Sequence, residues 1–286
     1  MVQQVQSNVM VRRGLSRIGM SVAALVVSLA GALGVVGQAN AASPLAYTEF
    51  PFTQSELSNW HTDRTTPSGG YEATSYAGRT DTLKLSVDTT NPSPISDWYW
   101  TEGLQRTLPA GSVAIRADAY VPSNWVTTNV RAGLWGVGAS SDNKTSSYPI
   151  IEFTTAGENG FTGWRWWNGD DGGWHNLAGV PYKSNDWNKL AIVVNDHSFD
   201  FYVNNKQVAT YASPDSVALS AVILNSRNYA DQGANYDVYW SRFAIGHVAE
   251  SPTTKSQCAQ GGWVTYGFSN QGQCVRFVET NKDSRL

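Results

Sequence analysis

Trp187-Asn-Lys-Leu-Ala-Ile-Val-Val-Asn-Asp-His-Ser-Phe-Asp-Phe-Tyr-Val-Asn-Asn-Lys-Gln-Val-Ala-Thr-Tyr211 decides the fold. Leu190, Ile192 and Val194 alternate with other residues, the period-two pattern of a half-buried strand. Asn195-Asp196-His197-Ser198 turns the chain. Phe199, Phe201 and Val203 then alternate in the same way. Asn204-Asn205 makes a two-residue hairpin turn, because asparagine tolerates positive φ. Lys206 to Tyr211 is the third strand of a meander.

The same alternation spreads outward, and helical periodicity is almost absent after residue 42. In Ser112–Val121, Val113, Ile115, Ala117, Ala119 and Val121 share one face, while Ala114, Arg116, Asp118 and Tyr120 share the other. Pro122-Ser123-Asn124 ends that strand. From Asn129 to Trp135, Val130, Ala132 and Leu134 oppose Arg131, Gly133 and Trp135. Pro149 opens a strand containing Ile150, Ile151, Glu152 and Phe153. Phe161–Trp167 and Trp174–Ala178 read as two strands joined through Asn168-Gly-Asp-Asp-Gly-Gly173, a loop long enough to carry function. Many short strands with regular turns predict an all-β, two-sheet antiparallel β-sandwich.

The ends of the chain read differently. Arg12, Arg13 and Arg17 precede an apolar, small-residue stretch from Ile18 to Val36, and Ala39-Asn40-Ala41 is a cleavage pattern. Residues 1–41 are expected to be a signal peptide, so the protein is expected to be secreted and not membrane-inserted after cleavage. Arg12-Arg13 leaves Sec and twin-arginine export both open. Removing the three leader arginines from 20 Lys and Arg leaves 17 against 23 Asp and Glu, a net charge near −6. With no basic run, nucleic acid is not an expected partner. All 12 Trp and 13 Tyr lie after the leader. Cys258 and Cys274 are the only cysteines and are expected to pair in an exported protein.

Trp187-Asn-Lys-Leu-Ala-Ile-Val-Val followed by Phe199-Asp-Phe-Tyr-Val-Asn-Asn-Lys resembles the central meander of concanavalin A-like lectin/glucanase domains, laminin G-like modules included. Tyr236-Asp-Val-Tyr-Trp-Ser-Arg-Phe-Ala-Ile245 resembles that family's closing strand. Asn205 stands where the family more often has Gly. The resemblance implies a jelly roll over residues 42–250. It leaves function open among lectins, hydrolases, lyases and adhesion modules. After the linker-like Ser251-Pro-Thr-Thr-Lys-Ser256, Cys258 to Val278 resembles a disulfide-closed tail of secreted bacterial proteins. Residues 251–286 are therefore taken as linker and tail, with a helix over Gln271–Glu279 capped by Asn270.

The chemistry-bearing residues point to a carbohydrate. A retaining glucanase needs two carboxylates about 5–5.5 Å apart, and no E-x-D-x-E strand exists. Asp97 and Glu102 are an odd number of positions apart, which sends them to opposite faces of a regular strand. A lyase would use Arg116, Tyr120 and Arg131, with Asp118 and Glu152 beside them, although paired solvent-facing charges explain these residues better. Trp164 and Trp166 share one face of their strand, Arg165 and Trp167 the other. Trp166, Trp167 and Trp174 are therefore the candidate sugar platforms, with Asn168, Asp170 and Asp171 as hydroxyl partners and Trp98-Tyr-Trp100 as a lesser group. The resemblance allows calcium, for which Asp170 and Asp171, or Asp231, Asn235 and Asp237, would supply oxygens. No other cofactor is expected. The reading is a secreted, non-catalytic glycan-binding protein. A polysaccharide-degrading enzyme (lyase before hydrolase) and an envelope adhesion or structural protein are the alternatives. The oligomeric state is left open.

Overall fold

The computed structural model describes residues 45–91, 101–155, 160–169, 172–195, 197–228, 234–248, 251–282 and 284. Residues 1–41, Asp97, Trp98-Tyr-Trp100, Asp170, Asp171 and Asp231 lie outside them. The described strands are β1 (Leu45–Phe50), β2 (His61–Asp63), β3 (Tyr71–Tyr76), β4 (Arg79–Val87), β5 (Thr101–Thr107), β6 (Ser112–Val121), β7 (Arg131–Ala139) and β8 (Thr145–Ser147). They continue with β9 (Ile150–Thr154), β10 (Gly163–Asn168), β11 (Gly173–Asn176), β12 (Asp186–Asn195), β13 (Ser198–Val203), β14 (Lys206–Ala212), β15 (Ala218–Arg227) and β16 (Tyr236–Val248).

Two antiparallel sheets result. The first runs β14-β13-β12-β6-β16-β4-β3, with β1 also on β16; the second runs β11-β10-β9-β7-β15-β5-β2, with β8 on β7. The expected all-β sandwich is therefore present, and the Trp187–Tyr211 meander forms one edge of the first sheet. Asn204 and Asn205 both have positive φ, 50° and 68°, the backbone of a type I′ turn whose twist matches the flanking strands. Asn204 also ties the turn back, accepting from the Lys189 amide at 3.1 Å.

Alternation supplies the core. Ile115, Ala117 and Ala119 of β6, Leu190 and Ile192 of β12, and Phe199 and Phe201 of β13 face Leu134 of β7, Ile151 and Phe153 of β9, and Trp164 of β10. Each fully buried Leu, Ile or Phe side chain contributes about 1.5–3 kcal/mol. On β16 the inward positions change parity, from Val238 and Trp240 to Phe243 and Ile245. A bulge makes the change, with Arg242 at φ 51° and a register shift between Ser241 and Ala244. The extra residue keeps a long strand facing the core as it bends.

The C-terminal tail has its own small core. Cys258 and Cys274 form a disulfide, and both are buried with Phe268 against Trp263, Tyr266 and Phe277. Two helices carry it, α1 (Gly262–Thr265) and α2 (Gln271–Thr280). Asn270 caps α2 by accepting from the Gln273 amide at 2.9 Å, as its position in the sequence predicts. No helix among the described residues is long and apolar enough to cross a membrane.

Candidate binding groove

The face of the second sheet turned away from the core is built by strand register. Asn225 of β15 lies opposite Gly103 on one side and Gly133 on the other. Gly133 lies opposite Glu152, and Glu152 opposite Arg165. One row along, Ile223, Trp135, Ile150, Trp167 and Trp174 are successive cross-strand partners. A sheet face outside the core is ordinarily solvated and polar. Here every residue of β7 and β9 is buried, on both faces.

Charge lies under this cover. Arg131 Nε is 3.0 Å from Glu152 Oε1, and Arg165 places Nε and Nη2 each 2.7 Å from the same oxygen. Exposure is 2% for Arg131, 0% for Glu152 and 1% for Arg165. Two guanidiniums therefore share one buried carboxylate. Trp174 roofs them, its ring centroid 4.2 Å from the Arg165 guanidinium carbon and 5.5 Å from that of Arg131. Glu152 Oε2 and both polar atoms of the Asn225 side chain are buried with no hydrogen-bond partner among the described residues. Each such atom costs about 1–3 kcal/mol.

Gly133 makes the floor possible. A Cβ there would lie 2.3 Å from Asn225 Oδ1 and 2.6 Å from Trp135 Nε1, so only glycine lets both side chains cross the sheet. Above the floor runs a cavity of about 390 Å³ lined by Arg64, Arg131, Trp135, Tyr148, Trp167 and Trp174 among others. Trp167 and Trp174 are half-buried and meet edge to face, with centroids 5.3 Å apart and planes at 65°. Arg64 reaches over Trp135, 5.1 Å from its centroid, and pairs with Asp63 at 2.6 Å. Burial raises the Asp63 carboxyl above its ordinary pKa, against the opposing pull of Arg64.

The structure sorts the sequence candidates. Trp167 and Trp174 come together on the groove. Trp166 does not join them: it points to the core side, packs on Phe201 at 5.5 Å and stacks on His175 at 4.7 Å. Asn168 follows the parity of Trp166 on β10, away from Trp167. Arg116, Asp118 and Tyr120 sit on the outer face of the first sheet, and Arg131 and Glu152 on the second, so these five residues line no common surface. Arg116 pairs with Glu49 at 2.7 Å, Asp118 with Arg79 at 2.9 Å, and Tyr120 packs on Tyr76 and Trp187. Asn235 accepts from Thr89, and Asp237 accepts from Ser86 and lies 3.7 Å from Lys84. Among the described residues no group of three or more His, Cys, Asp or Glu is placed to hold a metal ion.

Asp63, Arg64, Tyr148 and Asn225 were not singled out from the sequence. Gly133, two residues before Trp135 and on the same face of β7, is the one local hint, since glycine inside a strand marks a close approach.

No protein-family model matches the chain, and no curated protein sequence matches it. Similar solved structures include a sialidase, at 16% identity and TM-score 0.43, over 76% of this chain and 19% of that one. The Bacillus licheniformis β-glucanase has 12% identity and TM-score 0.45, over 71% and 98%. Alginate lyase vAL-1 from Chlorella virus has 12% identity and TM-score 0.46, over 69% and 98%. The chain thus spans about a fifth of the sialidase. At these levels the likenesses carry no argument about activity.

Proposed function

We propose that this is a secreted glycan-binding protein that holds a polysaccharide chain in the groove on the outer face of the second sheet. The observation that supports it best is the Trp167–Trp174 pair. Two half-buried indoles with planes 65° apart offer flat apolar surface beside hydrogen-bonding groups. A pyranose has the same mixed character, with apolar C–H faces and a polar rim. Secretion rests on the leader and the disulfide. Affinity electrophoresis in gels containing a panel of polysaccharides tests the reading. At least one polymer should retard the protein, and Trp167→Ala and Trp174→Ala should each release it. Retardation unchanged in both variants would place the site elsewhere.

A catalytic reading has one observation in its favour. Tyr148 and Tyr211 line the same cavity as Arg131, and a lyase needs a cation beside the uronate and a group that takes its proton. Incubation with uronate polymers and absorbance from an unsaturated product decides between the two.

A further inference from the structure

The floor of the groove does not end at the tryptophans. Trp174, Trp167, Ile150, Trp135 and Ile223 are successive cross-strand partners. The register carries this row one strand further, from Ile223 to Gln105 of β5. From β11 to β5 the row crosses five strand spacings, about 24 Å at 4.7–4.9 Å each. Its apolar members form a cluster of their own outside the core. Trp135, Ile150 and Ile223 are buried together, and Trp167 and Trp174 pack against them.

Two cavities lie along the row. The first covers Trp174, Trp167, Ile150 and Trp135. A second, of about 520 Å³, covers Ile223 and Gln105 and is also lined by Thr107 and Ser220. Tyr148 lines both, so they are two halves of one groove that runs across the strands. The halves differ in chemistry. One presents indole faces, which suit the apolar face of a sugar ring. The other presents an amide and hydroxyls. Gln105 is half-buried, and its side-chain amide makes no hydrogen bond among the described residues. A carboxamide carries two N–H donors and an acceptor oxygen, a set that fits neighbouring sugar hydroxyls.

An extended pyranose unit is about as long as one strand spacing, so the row has room for about four or five sugars. We propose that the groove holds at least about four consecutive sugars of a linear chain laid across the strands, stacked at Trp174 and Trp167 and hydrogen-bonded at Gln105. The inference rests on the glycan-binding reading and adds to it the length of chain recognised and a second point of contact. The two ends act as linked sites. A chain seated on the indoles presents its later sugars to Gln105 at high effective concentration. Affinity should therefore climb with chain length until the row is full.

Native gels containing lichenan, xylan, polygalacturonate or alginate select the polymer, and its oligosaccharides of two to eight sugars are then titrated by calorimetry. The hexasaccharide should bind at least tenfold more tightly than the trisaccharide, with no further gain at eight sugars. Gln105→Ala should lower the affinity for the hexasaccharide roughly fivefold, the scale of one or two neutral hydrogen bonds, and leave that for the trisaccharide unchanged. Trp174→Ala should abolish binding of both. A trisaccharide that binds as tightly as the hexasaccharide would overturn the extended site, as would wild-type affinity for the hexasaccharide in a folded Gln105→Ala protein. In either case loss of binding in Trp174→Ala would leave the glycan reading standing. If no polymer retards the wild type, both fall. The length series uses only wild-type protein, so it decides the matter even if the variants do not fold.

Discussion

Arg165 lies beneath Trp174, its guanidinium carbon 4.2 Å from the ring centroid. Its other side is held to Glu152 by two 2.7 Å contacts. The indole of the proposed binding surface is thus seated on a buried ion cluster. Position of the one depends on the charge balance of the other.

Removing the carboxylate should therefore damage the fold and not only the groove. Glu152→Ala leaves two guanidiniums buried together without their shared partner, and breaking such a pair costs about 3–5 kcal/mol. The triple replacement Arg131→Met, Glu152→Leu, Arg165→Met removes charge and desolvation together and should keep near wild-type stability. Urea midpoints read both. If the triple variant also retains polysaccharide binding, the ion cluster is structural only.

Glu102 gives a pH dependence of a different kind. It is fully buried, and burial raises its pKa above the ordinary 4.5 despite hydrogen bonds from Ser68. The folded protein therefore holds this proton more tightly than the unfolded chain does. The resulting stabilisation is complete below pH 4.5 and is lost as pH rises through the raised value. Glu102→Gln should flatten this term and be more stable than wild type at neutral pH. Urea midpoints taken between pH 4.5 and 8 for both proteins check it; parallel curves would refute it.

The tail should melt without the sandwich. Its buried cluster is its own, and the disulfide closes a loop with a sequence separation of 16, worth about 3 kcal/mol by chain entropy. In a Cys258→Ser, Cys274→Ser variant, amide exchange should become fast through α2 and stay slow in β6, β7 and β12. Loss of protection in those strands would show that the two parts fold as one.

At the β13–β14 turn, Asn205 has φ 68°. Glycine there should be tolerated or slightly stabilising, whereas Asn205→Val should cost about 1–2 kcal/mol, because a left-handed backbone crowds a Cβ. Thermal melting separates the two variants.

Much of the fold is legible because alternation marks the two faces of each strand. Leu190 and Ile192, or Ala132 and Leu134, declare a core side without tertiary information. Alternation does not say which sheet a strand joins. Arg116 and Arg131 carry the same signature, yet lie on different sheets. Nor does it say which face of an aromatic strand is the core. Trp166 and Trp167 necessarily oppose each other, and only packing against Phe201 shows that Trp166 faces inward. The groove floor was the least legible part. Arg131 and Glu152 read as solvated polar positions, because nothing local to their strands records the Trp174 roof above the cluster they form with Arg165. Asn225 and Gly133 depend on each other across two strands, a relationship set by register and not by neighbours in sequence.

The most direct test of the groove is a proton–nitrogen spectrum of the indole N–H groups, recorded with and without oligomers of the polysaccharide that binds most strongly in gels. The signals of Trp167, Trp174 and Trp135 should shift, while those of the core residues Trp164 and Trp240 stay in place. Unmoved groove signals together with shifts at Trp187 or Trp263 would contradict the account.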